Sequence, residues 1–305
     1  MPTLTDLKLF CALVIKKYGN PAQVSEEQMA EEFIHVYLKG LPPNIRALKA
    51  VASCCGIRLE TREMPKNLRG FNEVINGHQN IYYKKSDSLS GIENTILHEI
   101  REMLETHFQN IYPGYKPTKN PHLAANKFAT AVLLPKEDFL ENVYATGLDI
   151  IALSQIYKKS CSQVLLRMGE VLQDKLFFYG ALYEPVPDHE DRWTLNYWTR
   201  SHNGEDLDAN VVGTDQLFPR KGKAVIEGSL VDLSIKTCKS YFAPRITLTD
   251  ETDDEGLIAI SSPLLKLKKP LKVCLTVLLS RNLKLLDPQI EKINPEIVDG
   301  FHQHF

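Results

Sequence analysis

The spacing of apolar residues changes part-way along the chain, and this change constrains the fold more than any other feature of the sequence. From Leu4 to about Asp174, apolar residues recur mainly three and four positions apart, the period of an amphipathic helix. Two early stretches differ: Ile57–Thr61 alternates apolar and charged residues as a strand does, and Asn80–Tyr83 is typical of a second short strand. Beyond residue 190 the apolar segments are short, often β-branched and separated by turn residues: Trp193–Trp198, Ala224–Ile226, Ser229–Ile235, Leu257–Ile260 and Lys272–Leu279. The pattern predicts an α+β protein, mainly helical with a small sheet and then strand-rich.

The length of the chain gives a first expectation for its domains. A chain of 305 residues suggests about two domains. The segment Glu184–Asp191 contains two prolines and four acidic residues, which makes it the best linker candidate. We therefore expect an N-terminal helical segment over 1–40, a domain over 41–183 and a strand-rich domain over 190–305.

The charge balance and the cysteines limit the class of function. Lysine and arginine together number 36 against 38 acidic residues. The resulting net charge of −2 excludes a nucleic-acid-binding protein whose whole surface is basic. The six cysteines include no C-x-x-C pair, which is typical of buried thiols in a reducing compartment. No apolar run approaches the ~20 residues of a membrane-spanning helix, and the N-terminus has no signal-peptide pattern. We expect a cytoplasmic protein with no membrane partner.

The most informative residues for chemistry are His98, Glu99 and Glu102, which form an H-E-x-x-E motif inside a helical pattern. Residues four apart lie one turn apart on one helix face, so His98 and Glu102 can bind one Zn²⁺ together. Glu99 lies about 100° round the helix, where it can reach a water molecule on the metal without being a ligand. The H-E-x-x-H motif of metalloproteases uses this geometry. The alternative interpretation is a helix histidine beside two solvated glutamates.

The segments around this motif resemble the ImmA/IrrE family of metallopeptidases over roughly residues 44–170. That family typically has a helix and a strand reading l-G-i-x-V, a glycine-marked turn, a short strand, the H-E-x-x-H helix, and a helix reading E-x-x-A-N-x-F-A-x-x-L-L-x-P. The corresponding parts here are Ala52–Leu59, Gly70, Ile81–Tyr83, Ile96–Glu99 and His122–Pro135. Further matches in the following helices are Ala152, Tyr157, Ser160 and Arg167. The match from Ala125 to Pro135 is nearly complete.

The resemblance implies a third metal ligand at His122, where the family has a glutamate. The family's second histidine corresponds to Glu102, so the two positions have exchanged residue types. Together with His98 they still provide two imidazoles and one carboxylate, a catalytic zinc set that leaves a fourth position for water. A reciprocal exchange that keeps the number and charge of the ligands is what a working site would retain. Mn²⁺ or Fe²⁺ would also accept these ligands.

The activity that the resemblance implies is hydrolysis of a peptide bond by a zincin-like domain. Zinc lowers the pKa of its water toward ~7 and polarises the peptide carbonyl, while Glu99 carries the proton of that water to the leaving amine. Members of the family typically cleave a transcriptional repressor, often one with a helix-turn-helix, in a stress or mobile-element response. One member type carries a GAF-like domain after the peptidase domain, so the strand-rich part here would sense a signal or recognise the partner.

Several weaker signals leave alternatives open around the site. Tyr112, Tyr115 and His107 are candidates for the group that stabilises the oxyanion. His107 and Glu105 could serve as spare ligands. The short strand Asn80–Tyr83 could offer an edge to which a substrate peptide adds.

A second hypothesis belongs to a different class: a non-catalytic regulator that uses the same fold to bind a protein partner or DNA. Residues Ile151–Met168 have the appearance of a helix-turn-helix. Their only positive charges are Lys158, Lys159 and Arg167, which favours a scaffold over a DNA-binding helix.

Overall fold

The structure is a computed structural model that describes residues 6–201, 221–246 and 256–298. The chain forms two compact units, residues 1–135 and 136–305. The first unit is mainly helical with a small sheet and the second contains a larger sheet, which confirms the predicted α+β class. None of the helices in the described residues is long and apolar enough to cross a membrane.

The first unit places a three-stranded sheet among its helices. A 3₁₀ turn, Pro21–Gln23, precedes the second helix, and a π-helical turn, Ile34–Leu38, extends it. The strand order is β1-β3-β2, with β1 parallel and β2 antiparallel to the central β3. The elements are α1 (Leu7–Tyr18), α2 (Glu26–Phe33), α3 (Ile45–Cys54), β1 (Arg58–Arg62), β2 (Gly70–Ile75), β3 (His78–Lys84), α4 (Leu89–Ile111) and α5 (Pro121–Leu133).

The second unit is built on a six-stranded sheet of order β5-β4-β8-β7-β6-β9, antiparallel except for the last pair. A 3₁₀ segment, Ser280–Leu286, precedes its last helix. The elements are α6 (Lys136–Ala145), α7 (Ile150–Tyr157), α8 (Cys161–Val171), β4 (Phe178–Val186), β5 (His189–Ser201), α9 (Leu230–Thr237), β6 (Tyr241–Ile246), β7 (Leu257–Lys266), β8 (Lys269–Leu279), α10 (Asp287–Ile293) and β9 (Glu296–Ile297).

The two faces of this larger sheet are covered by different helices. Tyr179 and Tyr183 of β4 point into an apolar cluster that includes Leu230 and Val231 of α9. Gly180, which points the other way, lies so close to Leu165 of α8 that an added Cβ would clash. Alternate residues of β4 therefore serve two separate cores, as expected for a sheet packed on both faces.

The predicted linker Glu184–Asp191 is a β-hairpin instead, and the boundary between the units lies at Pro135. Val186 pairs with His189 across a two-residue turn. Proline is tolerated at Pro185 because the pairing of β4 with β8 ends at Tyr183, so one side of the strand needs no donor there.

One predicted strand of the second unit is a helix. Ser229–Ile235 forms most of α9, because the side chain of Ser229 accepts a hydrogen bond from the backbone N–H of Asp232 and caps the helix. Its buried residues Leu230, Val231 and Ser234 have helical spacing. Ala224–Ile226 contributes only an isolated bridge between Thr194 and Ala224. The predicted strands at Trp193–Trp198, Leu257–Ile260 and Lys272–Leu279 are confirmed within β5, β7 and β8.

Candidate metal centre

Helix α4 presents His98 and Glu102 on one partly exposed face. The helix begins at Ser88, whose side chain accepts a hydrogen bond from the backbone N–H of Gly91 at 3.1 Å. Ile96, Leu97 and Ile100 are fully buried and fix the rotation of the helix about its axis. His98 Nε2 then lies 3.3 Å from Glu102 Oε1, with side-chain exposures of 16% and 27%. His98 and Glu102 therefore lie on one helix face, as their four-residue spacing predicts.

Helix α5 brings His122 to the same point. Asn120 caps the helix through the backbone N–H of Leu123, and Pro121 is its first residue, both residue types that helix starts favour. The fully buried Phe128 lies on the apolar side of the helix, and α5 packs along α4. His122 in the first turn therefore approaches the middle of α4. Its Nδ1 is 3.0 Å from Glu102 Oε1 and 3.3 Å from His98 Nε2.

The three ligand atoms form a nearly equilateral triangle with sides of 3.0 to 3.3 Å. Tetrahedral zinc bonds of 2.0–2.1 Å place neighbouring ligand atoms about 3.3 Å apart. Two imidazole nitrogens and one carboxylate oxygen at this spacing therefore fit a divalent cation with one further position available. Among the described residues, one group of at least three His, Cys, Asp or Glu side chains has its ligand atoms close enough together to hold one ion. This group is His98, Glu102 and His122. The His122 side chain is 77% exposed, so the centre lies at the protein surface.

Glu99 lies beside this triangle and not in it. Its side chain is buried, and Oε2 accepts a 2.6 Å hydrogen bond from Asn72 Nδ2. Burial raises the pKa of the Glu99 carboxyl, and the nearby charge of Glu102 acts in the same direction, while the Asn72 hydrogen bond and the two histidines partly oppose them. A carboxylate with a raised pKa next to a cation site is suited to take up and release a proton.

Two asparagines form hydrogen bonds with the side chains of the site, and the sequence did not lead us to predict either of them. Asn126 Oδ1 lies 3.0 Å from His98 Nδ1, so it can accept the ring N–H and leave Nε2 free as a ligand. This residue is the asparagine of the A-N-x-F-A motif, so the motif itself contains the signal. Asn72 comes from strand β2, far away in the sequence, and no local pattern singles it out.

The other candidates near the site have different partners. Glu105 Oε2 accepts a 2.7 Å hydrogen bond from Arg101 and its other oxygen binds the Thr118 backbone N–H, which excludes it as a spare ligand. His107 Nε2 is 3.1 Å from the side-chain nitrogen of Gln79. Tyr115 interacts with Glu105, and burial raises the pKa of its hydroxyl. The partners found for His107 and Tyr115 in the described residues thus lie outside the triangle. Tyr112 is the residue that ends α4.

The prediction that Asn80–Tyr83 offers a free edge to a substrate peptide is wrong. Asn80–Tyr83 belongs to β3, which pairs with β1 on one side and β2 on the other and has no free edge there. Strand β2 lies at the edge of this sheet, next to α4.

The segment with a helix-turn-helix appearance forms α7 and α8. Helix α8 packs against β4 and β5, and all of its residues are buried or half-buried. Arg167, one of the three positive charges in the segment, is fully buried. A recognition helix needs an exposed basic face, so these observations agree with the scaffold interpretation.

The comparisons with known proteins give a likeness in fold. No family model and no curated protein matches the chain. Among solved structures, it is similar to a Mycobacterium tuberculosis transcriptional regulator, with a TM-score of 0.52 and 10% sequence identity, over 96% of this chain and 88% of that one. A likeness at this level of identity shows the fold alone.

Proposed function

We propose that the protein is a zinc-dependent endopeptidase of the ImmA/IrrE type that cleaves a protein substrate in the cytoplasm. The observation that carries this proposal is the triangle of His98 Nε2, Glu102 Oε1 and His122 Nδ1, with the buried carboxylate of Glu99 beside it. The charge and number of the ligands are those of a catalytic zinc site. The side lengths of the triangle, 3.0 to 3.3 Å, match tetrahedral zinc, although Mn²⁺ or Fe²⁺ would also accept these side chains.

The chemistry follows from the roles of the side chains. A zinc ion held there would polarise a peptide carbonyl and make a water molecule more acidic. Glu99 would accept the proton of the attacking water and donate it to the departing amine, the two halves of general base and general acid catalysis. The Asn72 hydrogen bond orients the Glu99 carboxylate for this task.

The substrate and the second unit are assigned by the family resemblance. We infer that the substrate is a transcriptional repressor, one with a helix-turn-helix, in a stress or mobile-element response. The second unit, with helices on both faces of an antiparallel sheet, is compatible with a GAF-like domain that senses a signal or recognises the partner.

The test is a comparison of Glu99→Gln with the unchanged protein. We expect about one zinc per chain in both, and cleavage of a mixed peptide library, read by mass spectrometry, in the unchanged protein alone. Glu63→Gln is the matched control, since Glu63 is exposed and lies in the same unit. Metal content far below one per chain, or full cleavage by Glu99→Gln, would contradict the proposal.

A second candidate, a non-catalytic regulator that binds a protein partner or DNA, is favoured by one observation. A solved structure that is similar in fold over 96% of this chain is described as a transcriptional regulator. A titration with duplex DNA at several salt concentrations separates the two candidates, because phosphate contacts weaken steeply as salt rises. Tight, salt-dependent binding without peptide cleavage would favour the regulator.

A further inference from the structure

Asn72 is the side chain that joins the two carboxylates of the candidate site. Its Nδ2 lies 2.6 Å from Glu99 Oε2 and 3.4 Å from Glu102 Oε2. Ionised carboxylates only accept hydrogen bonds, so the nitrogen and not the oxygen of the amide must face them. The amide group has two hydrogens, one for each carboxylate.

The contacts divide the two oxygens of Glu102 between different partners. Oε1 faces both imidazoles, at 3.3 Å from His98 and 3.0 Å from His122. Oε2 faces Asn72. A donor on the second oxygen of a carboxylate favours binding of a cation through the first oxygen.

The backbone of β2 makes this contact possible by its close approach to α4. Gly70, two residues before Asn72 and on the same face of the strand, has its α-carbon against Thr95 of α4. A Cβ added at Gly70 would clash with the Thr95 methyl group and lie 2.6 Å from the carbonyl oxygen of Tyr82. Glycine at this position lets the strand lie near enough for the short asparagine side chain to reach both glutamates.

We propose that Asn72 is a positioning residue that keeps Glu102 on the metal through one oxygen and keeps Glu99 off the metal. The inference rests on the proposed function, because it assumes that the triangle binds an ion. Without the amide, Glu102 is free to offer both oxygens and Glu99 is free to become a fourth ligand. Either change would close the position that a catalytic site must leave open.

The experiment uses the full chain loaded with Co²⁺, whose visible absorption reports the number and arrangement of ligands. Asn72→Leu removes both donors at similar volume. We expect a changed and weaker Co²⁺ spectrum than that of the unchanged protein. In the zinc-loaded form we expect a turnover 10–100-fold lower with KM preserved, the usual effect of losing a group that orients a ligand. Asn80→Leu is the matched control. The Asn80 amide lies in β3 and donates to the backbone carbonyl of His78 in the same strand, so the spectrum of this variant should not change.

The outcomes separate the two claims. An Asn72→Leu spectrum identical to that of the unchanged protein overturns the inference and leaves the proposed function in place. Failure of the unchanged protein to bind Co²⁺ or Zn²⁺ overturns the proposed function and the inference with it. Where Asn72→Leu does not fold, Asn72→Asp keeps the shape and replaces both donors with acceptors. An unchanged spectrum in that variant also overturns the inference.

Discussion

Removal of the His122 imidazole tests the metal centre with little effect on the rest of the fold. The side chain is 77% exposed and lies in the first turn of α5, outside the apolar contacts that hold this helix. Its contacts with Glu102 and His98 lie at an exposed position, where such pairs contribute roughly 0–1 kcal/mol to the free energy of unfolding. We therefore expect His122→Ala to melt like the unchanged protein when both are free of metal.

Zinc should separate the two proteins. An ion that binds only the folded state stabilises it by about 4 kcal/mol when its free concentration is about 1,000 times the dissociation constant. For a unit of this size each kcal/mol raises the melting temperature by roughly 3 °C, so the expected rise is roughly 10 °C. Loss of one of three ligands that weakens binding about 1,000-fold leaves about 0.4 kcal/mol at the same zinc concentration, a rise of about 1 °C.

The assay is thermal unfolding of chelator-treated protein in buffered zinc, followed by fluorescence. His78→Ala is the control, because His78 is also an exposed histidine of the first unit but lies outside the triangle. The control should keep the full zinc-dependent rise. If His122→Ala also kept the full rise, His122 would not be a ligand and the exchange of residue types would lose its meaning.

Two further predictions concern stability. Burial alone raises the pKa of Glu105, but hydrogen bonds from Arg101 and the Thr118 backbone outweigh it and hold the pKa below the ordinary 4.5. The resulting stabilisation is present above about pH 4.5 and is lost as the pH falls through the lowered pKa. In urea titrations, the free energy of unfolding of Glu105→Gln should therefore fall less steeply with decreasing pH than that of the unchanged protein. An equally steep fall in both proteins would refute the stabilising role of the Glu105 carboxylate. Leu267 and Lys268 form the turn of the β7–β8 hairpin, with positive φ of 51° and 65° that asparagine and glycine adopt more easily. The double change Leu267→Asn and Lys268→Gly should therefore stabilise the protein by about 1 kcal/mol in thermal unfolding. A lower melting temperature would contradict this.

The helices of the first unit were predictable because their signals are local. Helix α2 begins with a capping box of Ser25 and Gln28, and α5 begins with the cap Asn120 followed by Pro121. Each signal involves residues at most three apart, so tertiary contacts had little opportunity to overrule it. The pair of His98 and Glu102 belongs to the same class, since four residues on a helix determine a common face.

The second unit was predicted less well because strand pairing depends on residues far apart. The acidic, proline-containing segment at 184–191 resembles a linker, yet it forms a hairpin because β4 and β5 pair along their whole length. Ser229–Ile235 contains β-branched residues, but the Ser229 cap and burial against the sheet make it a helix. At the candidate site, Asn72 could not be predicted for the same reason, because only the folded structure brings β2 against α4.

The exchange of residue types that the family resemblance implies between positions 102 and 122 agrees with the hydrogen-bonding groups around them. An imidazole that binds an ion through one nitrogen has an N–H left over that needs an acceptor, whereas a carboxylate has an oxygen left over that needs a donor. Within the site, His98 has the acceptor Asn126 and Glu102 has the donor Asn72. The imidazole of His122 sits at the exposed corner, where solvent can take its remaining N–H. With a carboxylate at position 102 of α4 and an imidazole at position 122 of α5, each remaining N–H or oxygen therefore has a hydrogen-bond partner. This match is the physical reason to treat the exchanged motif as one metal-binding site.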